Sequence, residues 1–122
     1  MVEVICDTSF LINLATKRIT NIDTLDVEIG TISFVVPKVV KTELLKLHTI
    51  PEKRHDIEKT LDYIKNLKTI QLSGSFADKE LLEYAKSNKS IIGTMDRELK
   101  KQIKHVGSSV LSFSNNKIIL ES

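Results

Sequence analysis

Short β-branched and apolar runs recur along this chain, each followed by a stretch whose apolar residues are spaced for one face of a helix. That alternation is the pattern of a mainly parallel sheet with helices on both faces, an α/β fold. Strands are expected at 3–7, 32–36, 69–72, 90–94, 108–113 and 117–121, with Asn115-Asn116 as the turn between the last two. Helices are expected at 10–15, at 22–29 before Gly30, and at 38–48, 52–67, 75–86 and 96–105. Pro37 suits the first turn of its helix, where a missing N–H costs nothing.

The chain of 122 residues fits one domain, 1–122, with enough length to bury a core unaided. Hydrophobic residues make up 41% and charged residues 28%, with four Gly and two Pro, which excludes disordered and fibrous classes. A net charge of +2 does not by itself identify a nucleic-acid binder. The single cysteine, Cys6, cannot form an intrachain disulfide and reads as a buried strand position, so a reducing, cytoplasmic setting is expected. Glu3 and Asp7 interrupt the N-terminal apolar run, and no segment approaches the ~20 apolar residues of a membrane span. Neither secretion nor membrane insertion is expected.

Four acids stand where folding alone would favour something else. Glu43 lies four residues after Val39 and four before Leu47, within the apolar arc of the 38–48 helix. Asp78 falls between Leu81 and Leu82 around the 75–86 helix, although Ser75-Phe76-Ala77-Asp78 also matches a capping box. Asp7 and Asp96 follow strands and precede helices, positions that, taken singly, an N-cap explains better than a functional role. In an open α/β sheet, ligands bind beyond the carboxyl ends of the strands, and all four acids can reach that edge. A carboxylate aimed inward must be paired, protonated or bound to a cation, so their convergence points to a metal site. Glu58 and Asp62, by contrast, fall opposite the apolar stripe of Ile57, Leu61 and Ile64.

Val4-Ile5-Cys6-Asp7-Thr8-Ser9, the block from Val36-Pro37-Lys38 through Glu43-Leu44, Ala77-Asp78 and Thr94-Met95-Asp96-Arg97-Glu98-Leu99 resemble, in order, the PIN-domain nucleases. Within that family the chain is similar to small stand-alone prokaryotic members, the VapC-type toxins and the archaeal relatives of ribosomal-RNA processing nucleases. The resemblance implies a PIN-like three-layer fold with a sheet of four to five strands. It implies a metal-dependent endoribonuclease acting on single-stranded RNA, with Asp7, Glu43, Asp78 and Asp96 as catalytic and metal-binding residues for Mg²⁺ or Mn²⁺. Ser9 and Thr94 match site-lining hydroxyls that hold a carboxylate or a water. The sequence departs from the family at Met95 and Ser9, where Asn is frequent, and neither change removes an acid.

Lys38 shares a helix with Glu43, and Arg97 follows Asp96, so both are candidates for RNA backbone contact, although such charges are usually only a solvated face. Family resemblance implies a homodimer, for which the apolar residues of the helices between 38 and 67 offer a surface. An antitoxin protein would be a partner if the chain belongs to the toxin branch. The alternative is a catalytically weak PIN-like module that binds RNA or protein without cutting.

Overall fold

The computed structural model describes residues 2–21, 30–72, 77–88 and 90–121. The expected helical piece at 22–29 and the capping-box start at Ser75 lie outside them. In chain order the elements are β1 Val2–Cys6, α1 Thr8–Thr16, β2 Ile32–Pro37, α2 Lys38–Leu47, α3 Arg54–Ile64 and β3 Lys68–Ile70. They continue as α4 Ala77–Ser87, β4 Ile91–Gly93, α5 Arg97–His105, β5 Ser109–Ser114 and β6 Lys117–Glu121. No helix among the described residues is long and apolar enough to cross a membrane.

The strands form one sheet in the order β3-β2-β1-β4-β5-β6, parallel except for β6. The expected α/β class, a mainly parallel sheet between helices, is what the chain adopts. Among the described residues the sheet has six strands rather than four to five, because Lys117–Glu121 folds back along β5. Asn115 and Asn116 make that reversal with φ of 50° and 63°, a left-handed pair that Asn tolerates and that matches the twist of a tight hairpin.

Alternation along the strands feeds two cores. Val4 and Cys6 of β1 face α1, α2 and α3, packing with Phe10, Leu14, Val40, Leu44 and Ile57. Ile5 faces the other way, with Val35, Leu81, Ala85, Ile92, Leu99 and Ile103 beneath α4 and α5. Burial on both faces is why these central strands read as unbroken apolar runs rather than alternating ones.

Two features fix where a ligand could sit. The chain runs outward from β1 through β2 to β3, then returns to the other side of β1 for β4 and β5, so strand order reverses between β1 and β4. A crevice opens at such a reversal, beyond the carboxyl ends of the two strands. Gly93, the last residue of β4, lets α1 approach closely: a Cβ there would lie 2.7 Å from the Phe10 ring. The start of α1 therefore rests directly on the end of β4.

Candidate functional site

Asp7 is the first residue beyond β1. Its amide donates to the Gly93 carbonyl at 2.9 Å, which ties it to the end of β4. Its extended backbone makes it the N-cap of α1, with Oδ1 accepting from the Phe10 N–H at 2.9 Å and from the Ser9 hydroxyl at 3.0 Å. Oδ2 accepts from the hydroxyl of Thr94, which is wholly buried. Thr94 Oγ1 in turn accepts from the Asp96 N–H at 3.1 Å. Asp96 caps α5, its Oδ1 accepting from the Leu99 N–H at 2.9 Å. Both caps weighed in the sequence are real, and each uses Oδ1. Asp96 Oδ2 has no hydrogen bond among the described residues.

Glu43 comes from α2, whose buried side is Val40 and Leu44, and it is half-buried on the flank of that stripe. Asp78 lies in the first turn of α4. Its expected place on the apolar side is corrected by the structure: Leu81 and Ala85 carry the burial, while Asp78 is exposed. It nonetheless opens onto the same space as the others. Asp7, Glu43, Asp78 and Asp96 all line one cleft of about 280 Å³, together with Thr8, Ser9, Ile12 and Leu47.

The electrostatics follow from burial and crowding. Asp7 is pushed up to about 6, first by desolvation; bonds from Thr94, Phe10 and Ser9 oppose this and nearby Asp78 adds to it. Asp78, although exposed, is also raised, first by the partial desolvation of its carboxylate and then by Asp96. Burial and Asp7 hold the Cys6 thiol well above its ordinary range, so it stays protonated beside the Val4 carbonyl and offers no soft ligand.

Among the described residues the polar side chains that line the cleft are carboxylates and hydroxyls, an oxygen donor set suited to a hard divalent cation. Thr8 Oγ1, which is buried without a hydrogen-bond partner among the described residues, adds an oxygen there. No three His, Cys, Asp or Glu side chains among the described residues close into a ready ligand group. Among the described residues none of the four acids has an ion-pair partner, so the fit lies in donor chemistry and in the raised Asp7 and Asp78.

Ser9 lines the cleft, whereas Thr94 lies behind it as the bridge from Asp7 to Asp96. Lys38 and Arg97 are exposed first residues of α2 and α5, and neither lines the cleft. Sequence reasoning overlooked Thr8, Ile12 and Leu47. The first is signalled only by its place between Asp7 and Ser9, and the other two read as ordinary core. A larger groove, about 380 Å³ between α4 and α5, is lined by Leu82, Lys86, Lys101, Gln102, His105 and Val106 and has no carboxylate.

Residues 4–116 match the family described as PIN like domain. The chain is 30% identical over 109 residues to Ribonuclease VapC4 of Methanocaldococcus jannaschii, covering 84% of this chain and 83% of that protein. The solved structure of the PIN domain endonuclease Utp24 superimposes with a TM-score of 0.76 at 25% identity, over 98% of this chain and 90% of that one. A domain of a functionally unknown protein from Methanocaldococcus jannaschii shares the fold, with a TM-score of 0.51 at 20% identity over 93% and 92% of the two chains. Family match, relatives and the acid-lined crevice at the β1/β4 reversal agree, and the chain belongs to the PIN-like domain family.

Proposed function

We propose that this chain is a metal-dependent endoribonuclease that hydrolyses phosphodiester bonds of single-stranded RNA, with Asp7, Glu43, Asp78 and Asp96 as its acidic residues. The observation that carries the reading is the shared cleft: four acids from four separate segments line one crevice at the β1/β4 reversal. Relatives named as a ribonuclease and an endonuclease support it.

The four carboxylates would hold Mg²⁺ or Mn²⁺, which supplies positive charge against the phosphate and lowers the pKa of water. The chain's own part is preorganisation. Three hydrogen bonds fix the Asp7 carboxylate in one orientation. Thr94 sets the spacing of Asp7 and Asp96 by bonding to both residues. Ile12 and Leu47 line the cleft with apolar surface. Lys38 and Arg97 would meet the RNA backbone at the rim, giving affinity that falls with salt.

Leu45, Ile50 and Tyr63, large exposed apolar residues on or beside α2 and α3, support a homodimer through that face. An antitoxin protein belongs to the toxin reading and RNA processing to the other. A cytoplasmic site of action suits either. One observation favours a second reading, a module that binds RNA or protein and cuts weakly: the acids are not closed into a ligand group.

The experiment is to incubate the purified chain with mixed single-stranded RNA and Mn²⁺ or Mg²⁺, beside an Asp7→Asn variant and an EDTA control. Cutting by the wild type alone supports the nuclease. RNA left identical by wild type and variant removes it, and binding without cutting selects the second reading.

A further inference from the structure

A second cavity, of about 360 Å³, is lined by Asn13, Lys17, Met95, Phe113, Asn115 and Asn116. It is tied to the acid-lined cleft by one chain neighbour and one hydrogen bond. Met95 lies between Thr94 and Asp96, and Asn13 lies one helical turn beyond Ser9, whose carbonyl accepts from its amide at 3.0 Å. Ser9, Asn13 and Lys17 follow one another at i, i+4 and i+8, so one side of α1 and its C-cap leads from one cavity to the other.

The chemistry of the two cavities is opposite. The cleft carries four carboxylates, whereas no carboxylate among the described residues lines the second cavity. Its polar side chains among the described residues are three amides and one ammonium. An amide offers both donor and acceptor, as the edge of a nucleobase requires, and an ammonium suits a phosphate. Met95 and Phe113 supply apolar surface for the face of a base. The walls are also held in place. The Phe113 N–H donates to Met95 Sδ at 3.3 Å, and the Asn116 carbonyl accepts from the Thr20 N–H at 3.0 Å. Asn115 and Asn116 are exposed at the left-handed turn, outside the hydrogen-bonded strands.

We propose that this cavity is the subsite for the nucleotide beside the scissile phosphate of single-stranded RNA, with Lys17 on the backbone and the Asn13, Asn115 and Asn116 amides on the base edge. The proposal deepens the ribonuclease reading and rests on it. It assigns base preference to the β5–β6 turn, a part of the chain that supplies no acid to the cleft.

The test has two arms. In the first, short single-stranded RNA is titrated in EDTA into the ¹⁵N-labelled chain while the Asn side-chain amide signals are followed. Signals of Asn13, Asn115 and Asn116 are expected to move together, and Lys17→Ala should lower the slope of log K against log salt by about 0.7, one single-strand phosphate contact. Amide signals that stay still while others move overturn the proposal, as does an unchanged slope. In the second, Asn115→Gly removes the amide while keeping the backbone, because glycine adopts φ of 50° without strain. It is expected to raise KM more than it lowers kcat and to flatten the base preference beside the cut. An unchanged cleavage pattern overturns the proposal. If the wild type cuts nothing, the nuclease reading fails by itself, and the first arm still judges the subsite.

Discussion

The Thr94 hydroxyl donates to Asp7 Oδ2 across 87 positions of sequence and joins the ends of two neighbouring strands at the floor of the acidic cleft. Thr94 is wholly buried, and the same oxygen accepts from the Asp96 N–H. Thr94→Val, nearly the same shape, leaves both partners unsatisfied and should destabilise the fold by about 1–3 kcal/mol. Thr94→Ser should restore most of that stability. Urea unfolding of the three proteins decides it, and a Val variant as stable as wild type would show the bonds to be incidental.

Without a divalent ion, Asp7 should make stability fall as pH rises. Its folded pKa of about 6 lies above the ordinary 3.8, so the native state binds the proton more tightly than the unfolded chain. The stabilising contribution is complete below about pH 4 and is lost as pH rises through about 6, amounting to roughly 3 kcal/mol for a shift of that size. Asp7→Asn, which retains the capping oxygen, should therefore be more stable than wild type at pH 8 in EDTA and similar at pH 4. Thermal unfolding at the two pH values measures this, and equal melting curves at pH 8 would refute the burial account.

Asp96 separates capping from chemistry. Its Oδ1 caps α5, so Asp96→Asn should fold with near wild-type stability, while Asp96→Ala should lose about 1 kcal/mol. Both should weaken Mn²⁺ or Mg²⁺ binding in calorimetry, because both remove the charge. Unchanged metal binding in the Asn variant would leave Asp96 as a cap and nothing more.

Gly93→Ala tests the seating of α1 on β4. The added methyl would sit 2.7 Å from the ring of Phe10, which is fully buried and cannot swing aside. A loss of about 1–3 kcal/mol is expected. Because Phe10 also donates its N–H to Asp7, metal affinity should fall with stability. Chemical denaturation beside calorimetry checks the two together.

The layered fold was legible because doubly buried strands advertise themselves as unbroken apolar runs, as at Val4-Ile5-Cys6 and Ile91-Ile92. The extra strand was legible as a segment, but its pairing depends on two left-handed asparagines, which sequence expresses only as a turn. All four acids reach one cleft, although helical phase misjudged Asp78, since the first turn of a helix need not share the burial of the turns that follow. Asp7 and Asp96 illustrate the deeper ambiguity. Each is a cap and a cleft residue at once, because a carboxylate has two oxygens and a cap needs only one. Lys38 and Arg97 are not among the residues that line the cleft, because sequence proximity to an acid does not set the direction of a charge at the first position of a helix.

Strand order also has a consequence for how such a protein is made. β1 is synthesised before β4 yet sits in the middle of the sheet, with one side reserved for β4 at residues 91–93. At a ribosomal pace of roughly 5–20 residues per second, that side waits several seconds for its partner. Asp96 arrives later still, so no emerging chain carries the complete acidic cleft before residue 96 has been translated. On the ribonuclease reading, a nascent chain gains its full set of acids only when the segment after β4 joins the segment after β1.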